Sequence, residues 1–169
     1  KLNVFLLYSM QHVTYGSTAT FYVTTEDKRI NNNANANKTR FLCKFTNDLS
    51  GTVKYAYGQS QTIRERYTDF TLTHNTTEDV FTGAINFKPY GFWKYEIYEV
   101  TWQSASVVLS EATAPDTETE VITPGSNHIG VVQGLVEQGK LLVSETVGSE
   151  QVKYTQYTET TSTNYIYTN

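Results

Sequence analysis

The sequence predicts an all-β domain with the layered architecture of a β-sandwich. Short runs of β-forming residues follow one another at the spacing of successive strands, and turn-forming residues separate them. The 169-residue chain contains 13 Tyr and 8 Phe, and aromatic residues favour strands. No amphipathic helical pattern extends beyond two turns. We therefore expect one main domain built from seven or more short strands.

The densest run of large β-formers is residues 91–103. Successive side chains of a strand point to opposite faces. In the first half of this run, one set of alternate positions is apolar: Trp93, Tyr95 and Ile97. In the second half the other set is apolar: Tyr98, Val100 and Trp102. We therefore expect either a bulge near the change of phase or a change of packing partner along the strand.

The segments before this strand also read as strands and turns. The predicted strands are residues 2–8, 19–25, 41–46, 52–57, one or two between 63 and 72, and 80–87. The side chains expected to point inward are Phe21, Val23, Phe41, Cys43, Phe45, Phe81, Ile85 and Phe87. Residues 47–51 predict a hairpin turn, and residues 106–110 predict one more short strand. The polar, asparagine-rich residues 26–40 predict a mobile loop.

We divide the chain into a sandwich (residues 1–110), an acidic linker (111–127) and a C-terminal β extension (128–169). The extension contains four short β segments at residues 130–136, 140–145, 151–157 and 164–168. These are too few strands for independent stability, and they carry too much apolar surface to remain in water. We expect them to dock on the sandwich or on a neighbouring subunit by strand addition. The predicted interface residues are Leu141, Leu142, Val143, Tyr154, Tyr157, Tyr165 and Tyr167.

Composition and motifs favour a binding or structural role over catalysis. The net charge of −4 argues against a general nucleic-acid binder, and no apolar run reaches the ~18 residues of a membrane span. The chain lacks a nucleophile-elbow or phosphate-loop motif. Glu96 and Glu99 fall on opposite strand faces, which disfavours a catalytic carboxylate pair, and we interpret them as alternating charge on a half-exposed strand. We predict no catalytic residues and no cofactor.

Metal binding is also not predicted. The three histidines lack ligand spacing. Asp116, Glu118 and Glu120 alternate with Thr and could bind calcium, but a solvated acidic segment is the preferred interpretation. The single cysteine, Cys43, is expected to be a small core residue. The many tyrosines suit a sugar-binding platform or a protein–protein interface, and we favour the interface.

Three runs of the chain carry a resemblance to a known family. Residues 45–55, 80–83 and 91–99 resemble the immunoglobulin-like β-sandwiches of tailed-phage virion proteins, in which a Gly-aromatic strand closes the sandwich. Residues 139–143, 151–155 and 164–167 are similar to the endings of small structural proteins of marine tailed phages. The resemblance covers most of the chain, and its motifs are structural.

This resemblance implies an immunoglobulin-like β-sandwich and a non-enzymatic structural role in a virion. Capsid decoration or cement is the first expectation, and a neck, tail or fibre component is the alternative. The implied partners are other virion proteins (the major capsid protein, or neck and tail proteins), with the chain present as a homo-oligomer or in many copies. Neither nucleic acid nor membrane is an expected partner, and assembly would take place in the host cytoplasm. A carbohydrate-binding β-sandwich module is the alternative from another class.

Overall fold

Nine strands of the described residues form two sheets in the computed structural model of the protein, which describes residues 10–104, 106–123 and 128–145. The strands are β1 (Met10–Thr14), β2 (Ala19–Val23), β3 (Thr39–Asn47), β4 (Val53–Tyr57), β5 (Gln59–Ile63), β6 (Thr68–His74), β7 (Ala84–Ile85), β8 (Gly91–Trp102) and β9 (Gly130–Ser144). The two helices among these residues are single 3-10 turns, Glu26–Lys28 and Ala36–Lys38. Neither of them could cross a membrane.

The two sheets differ in size and in edge pairing. The first has the order β1-β9-β8-β3-β4, and the second has the order β2-β6-β5 with β7 added on β6. The β1–β9 and β6–β7 pairs are parallel, and the other pairs are antiparallel. The predicted all-β sandwich is therefore confirmed.

Strand β8 is regular along its whole length, and the irregularities lie in its neighbour β9. Its register with β3 is continuous over nine residue pairs. Against β9, Ile97 pairs with Glu137 but Tyr98 pairs with Leu135, so that one residue of β9 is skipped, and a second skip follows two positions later. These are bulges in β9. Because β8 keeps its alternation, the predicted change of apolar face reflects a change of packing partner.

The first half of β8 faces the core between the two sheets. Trp93, Tyr95 and Ile97 are at most 1% exposed. The residues expected to point inward from β2 and β3 join them in this core: Phe21, Val23, Phe41, Cys43 and Phe45. Those inward orientations are therefore confirmed, and burial raises the pKa of the Cys43 thiol.

The second half of β8 faces a smaller core on the outer side of the first sheet. Val100 and Trp102 are buried there beside Leu42 and Tyr57 from the neighbouring strands. Strand β3 therefore has buried side chains on both faces, with Leu42 as the buried residue of the outer one. The cover over this outer core comes from the segment after β8, which includes the fully buried Ala114.

Of the predicted strands, one is much shorter than expected and another is not a strand. Of residues 80–87 only Ala84–Ile85 is strand, because residues 80–83 form a turn in which Gly83 has φ +69°. Phe81 therefore packs in the outer core, while Ile85 and Phe87 reach the inner one. Residues 106–110 are not a strand, although Val107 and Leu109 pack on the outer core.

The described part of the expected C-terminal extension is an integral strand of the first sheet. The two segments predicted at residues 130–136 and 140–145 are one strand, Gly130–Ser144, which lies between β8 and β1. Residues 137–139, which separated the two predicted segments, pair regularly with residues 95–97 of β8. The boundaries expected at residues 110 and 128 thus fall within one packed unit. The strands predicted at residues 2–8, 151–157 and 164–168 lie outside the described residues.

Candidate interaction surface

A strap formed by residues 106–122 covers one half of the outer face of the first sheet. Its middle is held by backbone groups: Tyr57 Oη donates a 2.7 Å hydrogen bond to the Pro115 carbonyl, and Gly130 N donates at 2.8 Å to the Thr113 carbonyl. Within the strap, Ala114 is fully buried in the outer core. The segment expected as a linker is therefore a cover of the outer core.

Near the end of the strap, the Glu118 carboxylate forms hydrogen bonds with two neighbouring strands. Glu118 accepts a hydrogen bond from Lys44 Nζ on β3 and a 2.6 Å hydrogen bond from Tyr55 Oη on β4. Partial burial raises the pKa of Glu118, but the hydrogen bonds from Lys44 and Tyr55 outweigh this effect and lower the pKa overall. Burial and the bond to Glu118 raise the pKa of Tyr55 to about 12. The ionised carboxylate and the protonated phenol therefore stabilise each other.

The Glu118 contact predicts a pH-dependent stability. Because its folded-state pKa is lowered, its contribution is fully present above the usual glutamate pKa and is lost as the pH falls through the folded-state value. We expect Glu118→Gln to lower the free energy of unfolding by about 1 kcal/mol at pH 7, and this difference should shrink at pH 3.5. Urea denaturation at both values measures it. The exposed Glu65→Gln in the β5–β6 turn is the control, and a Glu118 effect of equal size at both pH values would contradict the assignment.

The other half of the same outer face is exposed in the described part of the chain, and we call it the open face. Its outward-facing side chains are Met10, His12, Val53, Phe92, Lys94, Lys140 and Leu142. Met10 is 62% exposed and Phe92 is 52% exposed. The strand register places Phe92 beside Leu142 and Lys94 beside Lys140. The open face thus includes residues of β9 and of the strands on either side of it, β1 and β8.

Charged residues lie among the apolar residues of the open face, because the strand register places Lys140 and Lys94 in one row between Met10 and Val53. Lys140 Nζ lies 2.5 Å from Asp48 Oδ2 at the β3–β4 turn, and Lys94 Nζ lies 2.9 Å from Glu96 Oε1. The open face therefore combines exposed apolar side chains with charged ones.

The structure separates the predicted interface residues into three groups. Leu141 and Val143 are at most 1% exposed and belong to the core between the sheets, so both residues pack on the chain's own sandwich. Leu142 points the other way and lies half-buried on the open face. The remaining four predicted residues lie outside the described residues: Tyr154, Tyr157, Tyr165 and Tyr167. Sequence reasoning missed Phe92, although its position next to the buried Trp93 places it on the opposite face.

The acidic residues considered for calcium do not share a common site. Glu118 is held by Lys44 and Tyr55, and Glu120 accepts a 2.6 Å hydrogen bond from the Asp116 backbone N–H. Within the ranges that the structure describes, no three His, Cys, Asp or Glu side chains are grouped so that they could hold a metal ion.

A second exposed aromatic group lies on the outer side of the other sheet. The rings of Tyr22 and Tyr67 are 6.0 Å apart between centroids and meet edge to face. The Arg64 guanidinium carbon is 5.6 Å from the Tyr67 ring centroid, and Arg64 Nε donates a 2.7 Å hydrogen bond to Asp69. This cluster combines exposed rings with fixed polar groups, which is the feature that a sugar-binding module would need.

Searches against protein-family models, curated proteins and solved structures each found no match to this chain.

Proposed function

We propose that this chain is a non-enzymatic structural protein of a tailed-phage virion, a capsid decoration or cement protein, that docks on other virion proteins through the open face. Its resemblance to virion sandwiches, above all in residues 91–99, supports the class. The observation that carries the docking role is the exposure of Met10, Phe92 and Val53, together with the half-buried Leu142, on one outer face of the first sheet.

The strand order supports an immunoglobulin-like form of the sandwich. Immunoglobulin sandwiches set strands B, E and D against strands C, F and G, and variable-type domains add a further strand next to C. Here β2, β6 and β5 occupy the first set of positions, and β3, β8 and β9 occupy the second. Strand β4 takes the added position beside β3. This strand order supports the immunoglobulin-like form that the resemblance implies.

The proposal is tested by replacing an exposed apolar side chain of the open face with a charged one. Purified virions of the encoding phage, stripped of this protein, should bind the wild-type chain, and Phe92→Glu should weaken binding at least about tenfold because the interface would have to bury a carboxylate in place of an apolar ring. Tyr22→Glu is the matched control, since Tyr22 is 57% exposed on the other sheet. Unchanged circular dichroism shows that both variants fold. Equal binding of wild type and Phe92→Glu would overturn the open face as the docking surface.

Two alternative functions predict results that differ from those expected for a capsid decoration protein. A neck, tail or fibre protein would use the same face, and electron microscopy of labelled particles would place it away from the capsid shell. A carbohydrate-binding module is favoured by the cluster of Tyr22, Tyr67 and Arg64. It predicts saturable glycan binding that Tyr67→Ala abolishes. Such binding, with no affinity for virion proteins, would replace the structural proposal.

A further inference from the structure

Two tyrosine rings hold a lysine ammonium group at one end of the sandwich. Tyr15 follows β1 directly, and Lys88 and Tyr90 lie just before β8. Lys88 Nζ is 5.1 Å from the centroid of the Tyr15 ring and 5.8 Å from that of the Tyr90 ring. The rings meet edge to face, with 5.0 Å between their centroids. Because aromatic faces attract a cation at such distances, the position of this ammonium group is set before a ligand binds.

This ammonium group differs from those of most lysines in the described ranges. Ion pairs with a carboxylate engage four other lysines, Lys44, Lys54, Lys94 and Lys140. Within the same ranges, Lys88 Nζ makes its two ring contacts but forms no ion pair and no hydrogen bond. An ammonium group has three N–H donors, so the donors of Lys88 remain available to an oxygen acceptor.

Other polar groups beside Lys88 are also unused by the described part of the chain. The hydroxyl groups of Tyr15 and Tyr90 form no hydrogen bond there. The His74 ring packs edge to face on Tyr15 with 4.3 Å between centroids, and its buried Nδ1 atom likewise has no hydrogen-bond partner among those residues. Native structures leave few buried polar atoms without a partner. This concentration of unused polar groups around one cation therefore favours a binding site over ordinary surface.

The chemistry of this end fits a carboxylate. Lys88, Pro89 and Tyr90 are exposed, so that a ligand can approach the ammonium group from solvent. An ammonium N–H and a phenol O–H can both donate hydrogen bonds to carboxylate oxygens. A nucleic acid would need many cations, whereas the chain has a net charge of −4. Pro89 and the Tyr90 ring add apolar surface for a side chain next to the carboxylate.

We propose that Tyr15, Lys88, Pro89 and Tyr90, which we call the Lys88 site, bind an Asp or Glu side chain of a partner protein. Lys88 Nζ and the Tyr90 hydroxyl donate hydrogen bonds to the carboxylate, and a neighbouring apolar side chain of the partner contacts Pro89. Because the rings already hold the ammonium group, binding costs little of its freedom. The inference goes beyond the docking role, since the Lys88 site requires neither the open face nor a virion.

A peptide titration of the full chain tests the Lys88 site. The probe is a blocked tripeptide, Leu-Glu-Leu, and its uncharged form carries Gln in place of Glu. In an NMR titration, the Glu peptide should shift the ring signals of Tyr15 and Tyr90 in a saturable manner. The Gln peptide should bind at least about tenfold more weakly, because hydrogen bonds to an ionised acceptor are the stronger ones. Equal binding of the two peptides, or no saturable shift of these rings, would overturn the proposal.

Lys88→Met is the matched variant, because it removes the charge and keeps a long unbranched side chain. It should reduce binding of the Glu peptide to the level of the Gln peptide. Lys28→Met removes an exposed lysine from the first 3-10 turn and should leave binding unchanged. Unchanged circular dichroism shows that both variants fold. Wild-type affinity of Lys88→Met for the Glu peptide would also overturn the proposal.

The same NMR measurements separate the partner segment from other sources of a carboxylate. Acetate that shifts the rings as strongly as the Glu peptide at equal concentration would mean that the Lys88 site takes a small anion only. Tyr90 ring signals that change with protein concentration, without peptide, would mean that a second copy fills it. A side-chain carboxyl signal of the chain itself that moves in Lys88→Met but not in Lys28→Met would mean that the chain fills its own site. Each of these results would overturn the assignment to a partner protein.

Discussion

Trp93→Ala is expected to lower the free energy of unfolding by about 3–5 kcal/mol, the range for removing a fully buried large aromatic side chain. Trp93 has no exposed surface. Its ring meets Phe87 edge to face with 5.8 Å between centroids, and its indole Nε1–H donates a 3.1 Å hydrogen bond to the Pro89 carbonyl. The alanine variant therefore loses packing and also loses the shorter of the two hydrogen bonds that the Pro89 carbonyl accepts, the other one being from Asn47 at 3.4 Å. Urea denaturation followed by far-UV circular dichroism measures the change.

Phe92→Ala provides the matched control, because Phe92 is the preceding residue of the same strand and points to the open face. It is half exposed, so its loss should cost about 1 kcal/mol or less. The contrast between the two variants tests which face of β8 is inside. Similar losses for both would mean that the open face is covered in the folded chain.

Alternation along β8 was sufficient to predict both of its buried sets, but it did not reveal what covers the second one. Residues 111–120 of the strap contain Pro and several acids and lack bulky apolar residues, so this part has the composition of a linker. Its attachment depends on a Pro115 carbonyl and a Glu118 carboxylate. Contacts of this kind leave no periodic pattern in a sequence. The sequence therefore predicted the β8 residues of the outer core but not the segment that covers them.

The candidate interaction surface could likewise be predicted only in part from the sequence. Leu141, Leu142 and Val143 form one apolar run, and a run of this kind does not tell which residues face the core. Pairing with β8 decides the matter, since Leu141 lies opposite the buried Trp93 and Leu142 lies opposite the exposed Phe92. Long-range register of this type comes from the folded sheet.

The asparagine-rich loop was expected to be mobile, but a buried carboxylate on β8 holds its first part. Glu99 has no exposed surface. It accepts a 2.7 Å hydrogen bond from the Ile30 backbone N–H and a longer one, at 3.4 Å, from Asn31 N–H. Arg29 Nε lies 3.8 Å from its Oε1 atom. The interpretation of Glu99 as half-exposed is therefore wrong. The available signal was its phase, because it shares alternate positions with Trp93.

Glu137 reinforces this attachment from the neighbouring strand. It is 5% exposed, and it accepts hydrogen bonds from the Thr24 backbone N–H and, at 3.2 Å, from Tyr95 Oη. Two inward carboxylates thus satisfy backbone donors of the segment that follows β2. Arg29 Nη2 extends the network to the loop by donating to the Ala34 carbonyl at 2.5 Å and to Thr39 Oγ1 at 3.1 Å.

Glu99→Ala is expected to lower the free energy of unfolding by about 3–5 kcal/mol, because it leaves the largely buried Arg29 charge and two backbone donors without their acceptor. Glu96→Ala is the matched control on the same strand. Glu96 faces outward and pairs with the 42%-exposed Lys94 side chain, so its loss should cost about 1 kcal/mol or less. Urea denaturation compares the two variants. Amide hydrogen exchange adds a local measurement, in which Ile30 and Asn31 should lose protection in Glu99→Ala and keep it in Glu96→Ala. If Glu99→Ala matched Glu96→Ala in both stability and exchange, the buried carboxylate would not be the anchor of the loop.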